Sequence, residues 1–75
     1  MADQTLDVSG YACPIPILKA KQALTQLAAG ETLEVLATDP AAPNDFIAFC
    51  KATGNTLVAS GARDRTFWFL IRRAA

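Results

Sequence analysis

Histidine is absent from this 75-residue chain, and with it go the Cys-His and Ser-His-Asp arrangements in which an imidazole activates a nucleophile. Only two cysteines are present, Cys13 and Cys50. They lack the spacing of metal ligands, which argues against zinc, and a pair so far apart in a small intracellular chain is poor evidence for a structural disulfide. Neither sign of charge is in excess: seven Lys and Arg balance seven Asp and Glu, so no long-range field draws the chain to nucleic acid or to an anionic membrane. No run approaches the roughly 18 apolar residues that a spanning helix requires. Met1-Ala2-Asp3-Gln4 has neither the basic nor the apolar region of a secretion signal, and the expectation is a cytoplasmic protein.

What is present suffices for a core. Hydrophobic residues make up 52% of the chain, and no repeat, linker or low-complexity tract divides it. One domain spanning residues 1–75 is expected, of modest stability, because a chain this short buries little more than about 60 per cent of the surface its unfolded form exposes.

Gln4-Thr5-Leu6-Asp7-Val8 alternates as a strand does, and Ile17, Ala20, Leu24 and Leu27 then recur at helical spacing. This predicts a first helix from Pro14 to about Ala29, with Pro tolerated in the first turn and Gly30 just past the end. Glu31 to Thr38 places Leu33, Val35 and Ala37 on one face of a second strand. Asp39-Pro40 and Pro43 break it, and a second helix follows with Asp45 in its first turn, where a carboxylate suits the helix dipole. Phe46, Phe49, Cys50 and Thr53 share a face of that helix, and Gly54 closes it. Thr56 to Ser60 predicts a third strand, Gly61 to Asp64 a hairpin loop, and Thr66 to Ile71 a fourth strand that is apolar on both faces, as suits a central strand. The order β-α-β-α-β-β gives an α+β fold, a two-layer α/β sandwich in which a four-stranded mixed sheet carries both helices on one face. If Phe67, Phe69 and Ile71 face the core, then Trp68 and Leu70, joined by Leu36, form an apolar patch on the open face, a candidate contact surface for a partner or for a weak homodimer of an otherwise monomeric protein.

Cys13 stands where the first strand hands over to the first helix. Free N–H groups and the positive end of the helix dipole gather there and favour a thiolate, the form that attacks and carries sulfur. With Cys13 as N-cap, Pro14 and Pro16 occupy the first and third helical positions and carry no N–H. Only the donors of Ile15 and Ile17 remain, so the expectation is a moderately activated thiol. Capping does not explain Cys13, since caps are normally Ser, Thr, Asp or Asn. Cys50, beside Phe46 and Phe49, reads as core packing.

Leu6-Asp7, Gly10, Cys13-Pro14-x-Pro16, Leu18-Lys19, Ala23-Leu24, Leu27, Gly30-Glu31, Ala37-Thr38-Asp39-Pro40, Asp45, Phe49, Thr53-Gly54, Leu57 and Phe69-x-Ile71-Arg72 together resemble the TusA (SirA-like) family of sulfur-carrier proteins over nearly the whole chain. The resemblance implies sheet order 1-2-4-3, as in the C-terminal domain of translation initiation factor three. It implies that Cys13 takes a sulfane sulfur from a donor protein, a cysteine desulfurase or rhodanese, holds it as a persulfide, and passes it to an acceptor protein without any cofactor. Pro14, Pro16, Asp39 and Pro40 would shape the turns around it, and Lys19 could serve docking. Ser9 and Ile15 depart from residues common in the family, Arg and Glu, which bears on partner identity.

Two alternatives stand beside this function. A regulatory or structural binding module would use the open sheet face around Trp68 without cysteine chemistry. Direct nucleic-acid binding would use Arg63, Arg65, Arg72 and Arg73, a small cluster in a neutral chain with no stacking motif beside it.

Overall fold

A computed structural model of the chain describes residues 2–74. Its elements follow the expected order: β1 (Gln4–Asp7), α1 (Ile15–Leu24), β2 (Thr32–Ala37), α2 (Ala42–Thr53), β3 (Thr56–Arg63) and β4 (Thr66–Arg72). The sheet order is β1-β2-β4-β3. β1 and β2 run parallel, and β4 is antiparallel to both of its neighbours.

The period-two pattern of β2 sets the layers. Leu33, Val35 and Ala37 are buried while Thr32, Glu34 and Leu36 are half-buried on the other face. Phe69 and Ile71 of β4 lie opposite Val35 and Leu33 and join the same core. Ala20 and Leu24 of α1, with Ala42, Phe46, Phe49 and Cys50 of α2, cover that face. Phe46 is the anchor: fully buried, it stacks on Phe69 at 4.6 Å between ring centres and meets Phe49 edge-on at 6.3 Å. Burying a side chain of this size contributes about 1.5–3 kcal/mol. Gly54 ends α2 in the left-handed conformation at φ 77° and donates its N–H to the Cys50 carbonyl, the usual geometry for a helix stop. No helix among the described residues is long and apolar enough to cross a membrane.

Three local expectations are corrected. First, α1 ends at Leu24 rather than near Ala29. The Thr25 hydroxyl donates to the Gln22 carbonyl, and Gln26 and Leu27 donate to carbonyls three residues back. These bonds tighten the backbone while still folding Leu27 into the core. Second, α1 starts one residue later than expected: Pro14 is its N-cap, its carbonyl accepting from Leu18 N–H at 3.1 Å, and the Cys13–Pro14 peptide is cis. Third, Gly61, Ala62 and Arg63 are strand rather than loop, paired with Trp68, Phe67 and Thr66. The hairpin turn is left to Asp64 and Arg65, with Asp64 at φ 58°, a conformation that Asp tolerates better than most residues. The register of β3 slips between Leu57 and Ala59, leaving Val58 as a bulge.

Candidate functional site

Because β1 and β2 are parallel, their C-terminal ends reach the same edge of the sheet, and the two strand-to-helix connections lie side by side there. Cys13 comes from the first connection and Asp39 and Pro40 from the second. Hydrogen bonds join them. The Cys13 N–H donates to Asp39 Oδ2 at 2.8 Å, and the other oxygen of that carboxylate accepts from Ala41 N–H at 3.2 Å. The Asp39 carbonyl accepts from Ala42 N–H at 2.9 Å, opening α2. A second tie runs from Gly10 N–H to the Thr38 hydroxyl at 2.8 Å, and Gly10 supplies the positive φ of 84° that the turn requires. Asp39 is therefore a cross-tie between the two connections, a larger role than a rigid turn of its own.

Cys13 is exposed and Cys50 is buried. Pro16 is buried at the start of α1, while Pro14 and Pro40 are exposed, so one proline anchors the helix and the other two shape the surface. The activation expected from helix donors does not arise. Cys13 lies one residue outside the cap, and the N–H of Ile15 is spent on the Ala12 carbonyl at 3.0 Å. The charges acting on the sulfur are instead those of carboxylates. A hydrogen bond to the Asp45 side chain pushes the Cys13 thiol above its ordinary value, with desolvation and the negative charges of Asp45 and Asp39 acting in the same direction. The expectation of a moderately activated thiol is thus reversed in sign. Cys50 is also pushed up, by burial alone.

Asp45 is the charged neighbour of Cys13 that sequence reasoning did not place there. It was legible as a helix-dipole residue, but its approach to Cys13 depends on a tertiary placement. Phe46, the next residue, is locked against Phe69, and this fixes the first turn of α2 against the edge where Cys13 emerges. The usable signal was the parallel strand order, which brings both connections together.

The candidate docking residues fall on two separate surfaces. Lys19, on the outer side of α1, holds its ammonium 5.1 Å from the centre of the Tyr11 ring, and Tyr11, Ile15 and Leu18 are exposed around the cysteine and helix start. Leu36, Trp68 and Leu70 share the open sheet face, where Leu36 and Trp68 are direct cross-strand partners. A shallow depression of about 540 Å³ runs there between Glu34, Leu36, Arg63 and Trp68. Trp68 lies over Gly61: a Cβ at that position would stand 2.8 Å from the indole. The arginines form no single patch, since Arg73 turns its guanidinium onto the Leu27 carbonyl while Arg63 lines the open face.

Residues 4–73 match the family model described as sulfurtransferase TusA. The sulfur carrier protein TusA of Allochromatium vinosum is 49% identical over 72 residues, covering 96% of this chain and 95% of that one. A relative from Neisseria meningitidis serogroup A is also 49% identical over 72 residues, covering 96% and 97%. Among solved structures, the SirA-like protein of Desulfitobacterium hafniense superposes with a TM-score of 0.83 at 26% identity, over 96% of this chain and 99% of that one. Similarity of sequence along nearly the whole chain, together with the shared sandwich, makes this protein a member of the TusA family of sulfur carriers.

Proposed function

We propose that Cys13 is the residue on which this carrier holds its sulfur, as a persulfide, and that the whole of residues 1–75 serves as one carrier domain. The observation that supports this reading is an exposed thiol whose backbone is tied by Asp39 to the second strand-to-helix connection. Such a sulfur is both accessible and fixed in direction. In loading, Cys13 gives up its proton and its Sγ attacks the outer sulfur of a donor persulfide. The new Sγ–S bond forms, the donor's S–S bond breaks, and the electron pair leaves on the donor cysteine, which takes up a proton. Cys13 is oxidised to the persulfide and the donor cysteine is reduced to the thiol. Delivery is the same exchange, with an acceptor thiolate attacking the outer sulfur.

The donor is a protein that itself carries a persulfide, a cysteine desulfurase or a rhodanese, and the acceptor is a cysteine on another protein. Pro14 and Pro40 shape the mouth of the site, the buried Pro16 anchors the helix behind it, and Lys19 with the exposed Tyr11, Ile15 and Leu18 offers a docking rim beside it. The open face of Leu36, Trp68 and Leu70 is a second contact surface, for a partner or for a weak dimer. The protein works in the cytoplasm, where thiols stay reduced. Intact mass spectrometry tests the site after incubation with a desulfurase and cysteine, or with a rhodanese and thiosulfate. One added sulfur is expected on the wild type and none on Cys13→Ser. Loading that survives Cys13→Ser, or that maps to Cys50, overturns the assignment.

A further inference from the structure

We propose that the open face of the sheet pairs with the same face of a second copy of this chain, about a two-fold axis at Trp68 that sets Glu34 of each copy against Arg63 of the other. The proposal rests on the reading of this face as a contact surface and is independent of the role given to Cys13.

The register of the strands places the charges. Glu34 of β2 lies opposite Leu70, and Arg63 of β3 lies opposite Thr66. Leu70 and Thr66 stand two residues from Trp68 along β4 in opposite directions, and β2 and β3 flank β4 on opposite sides. Trp68 is therefore the midpoint of the line from Glu34 to Arg63. Side chains two apart along a strand point the same way, so all of these residues share the face turned away from Phe69, Ile71, Leu33 and Val35 in the core. With strands about 4.8 Å apart and a rise of about 3.4 Å per residue, the two charges stand roughly 16 Å from each other. A two-fold axis that lies in the plane of contact and crosses that line at Trp68 exchanges its ends. Acid then meets base twice, and one patch serves both copies, as a two-fold interface requires.

Shape and composition agree with this pairing. The Thr5 hydroxyl donates to Glu34 Oε1 at 3.4 Å, which places that carboxylate over the face. The Trp68 indole lies over Gly61, whose missing side chain lets the ring rest low against the sheet. Depressions of about 540 and 340 Å³ adjoin it, one towards Arg63 and Thr66 and the other towards Thr5 and Leu70, and Glu34 and Trp68 line both. Asp64 also lines the first, from the hairpin turn beyond Arg63. A flat ring with Leu36 and Leu70 beside it suits stacking against its own copy. The four strands span about 15 Å and β4 runs about 24 Å, so each copy covers roughly 350 Å². That is under half of the ~800 Å² per partner of a stable complex. The dimer is weak and parts on dilution. Cys13 leads into α1, which packs on the other side of the sheet, so both thiols stay outside the contact.

The test is sedimentation velocity of the full chain from about 10 µM to about 1 mM, with reductant present so that the exposed Cys13 cannot link copies. The wild type is expected to move from monomer towards dimer over this range. Emission from Trp68, the only tryptophan, should shift to shorter wavelength in step. Glu34→Arg and Arg63→Glu each set like charges face to face twice and should weaken association by about tenfold or more. The double variant carrying both exchanges restores it to within about threefold. Glu34→Gln and Arg63→Gln give a smaller loss, and Lys51→Glu, on the exposed side of α2, gives none. Circular dichroism of each variant establishes that it is folded. A wild type that stays monomeric at the top of the range overturns the proposal and leaves the face to a different partner. A dimer that both single reversals leave intact, or that the double exchange fails to restore, overturns it as well. Sulfur loading needs no dimer, so each of these results is independent of whether Cys13 is the residue that loads.

Discussion

Removing the Asp39 carboxylate tests whether the two strand-to-helix connections are held by one side chain. In Asp39→Ala, two hydrogen bonds disappear, from Cys13 N–H at 2.8 Å and from Ala41 N–H at 3.2 Å. A hydrogen bond to a charged acceptor contributes about 1.5–3 kcal/mol when well enclosed. Both bonds lie at an exposed site, so the shorter one is placed at the bottom of that range and the longer one below it. The sum is about 2 kcal/mol, against a total stability of roughly 4–11 kcal/mol for a chain of this length. Guanidinium unfolding followed by circular dichroism should show the midpoint falling by about 1 M, with a melting temperature lower by roughly 8–16 °C. Asp39→Asn separates this account from a general loss of charge. Its carboxamide keeps one oxygen able to accept and replaces the other with a donor, so about half the loss is expected. Sulfur loading at Cys13 should slow in the same order, Ala more than Asn, as the thiol loses its fixed direction. An Asp39→Ala protein that unfolds and loads like wild type refutes the cross-tie, and so does an Asn variant as damaged as the Ala variant.

Phe46→Ala removes the ring that stacks on Phe69 and should cost about 3–5 kcal/mol, lowering the melting temperature by roughly 12–40 °C. A transition within 1–2 °C of wild type contradicts this. Gly61→Ala places a methyl 2.8 Å from the Trp68 indole. The indole must shift, at a cost of about 1–3 kcal/mol, and since Trp68 is the only tryptophan, a changed emission maximum reports it directly. Asp7 is held below its ordinary value by the Ser9 side chain and then by the Ser9 N–H, so it stabilises the fold above its unfolded pKa of about 3.9 and loses that contribution as pH falls through the lower folded value. Comparing urea midpoints at pH 7 and pH 2.5, Asp7→Asn should show a smaller acid loss than wild type, and an equal loss contradicts the assignment.

The sequence was most legible where one residue type answers one local need. The alternation of Leu33, Val35 and Ala37 set the buried face of β2, Gly54 marked the end of α2, and the doubly apolar run around Trp68 marked an internal strand; all three stand in the structure. It was less legible where side chains compete with backbone. Thr25 redirects the end of α1 through its hydroxyl, and helical periodicity in Leu24 and Leu27 looks the same whether the turn is α or tighter. Gly61 read as loop because glycine is common there, yet its missing side chain makes room for Trp68. The cysteine and its two prolines were visible as a candidate site from their unusual position at a helix entrance. The electrical character of that site was not visible, because the helix dipole is a local inference while Asp39 and Asp45 arrive through the fold, 26 and 32 positions further along the chain.

The slip at Val58 has a consequence for how copies of this molecule can meet. β3 and β1 are the outer strands of the sheet, and an outer strand offers a row of unpaired backbone groups on which another chain can add itself. The bulge at Val58 interrupts that row along β3, and at the other margin β1 offers only four residues. Neither margin is a good template for a fifth strand. Growth of the sheet from molecule to molecule is therefore disfavoured at both margins, and contact between copies through side chains, face against face, is favoured over strand addition.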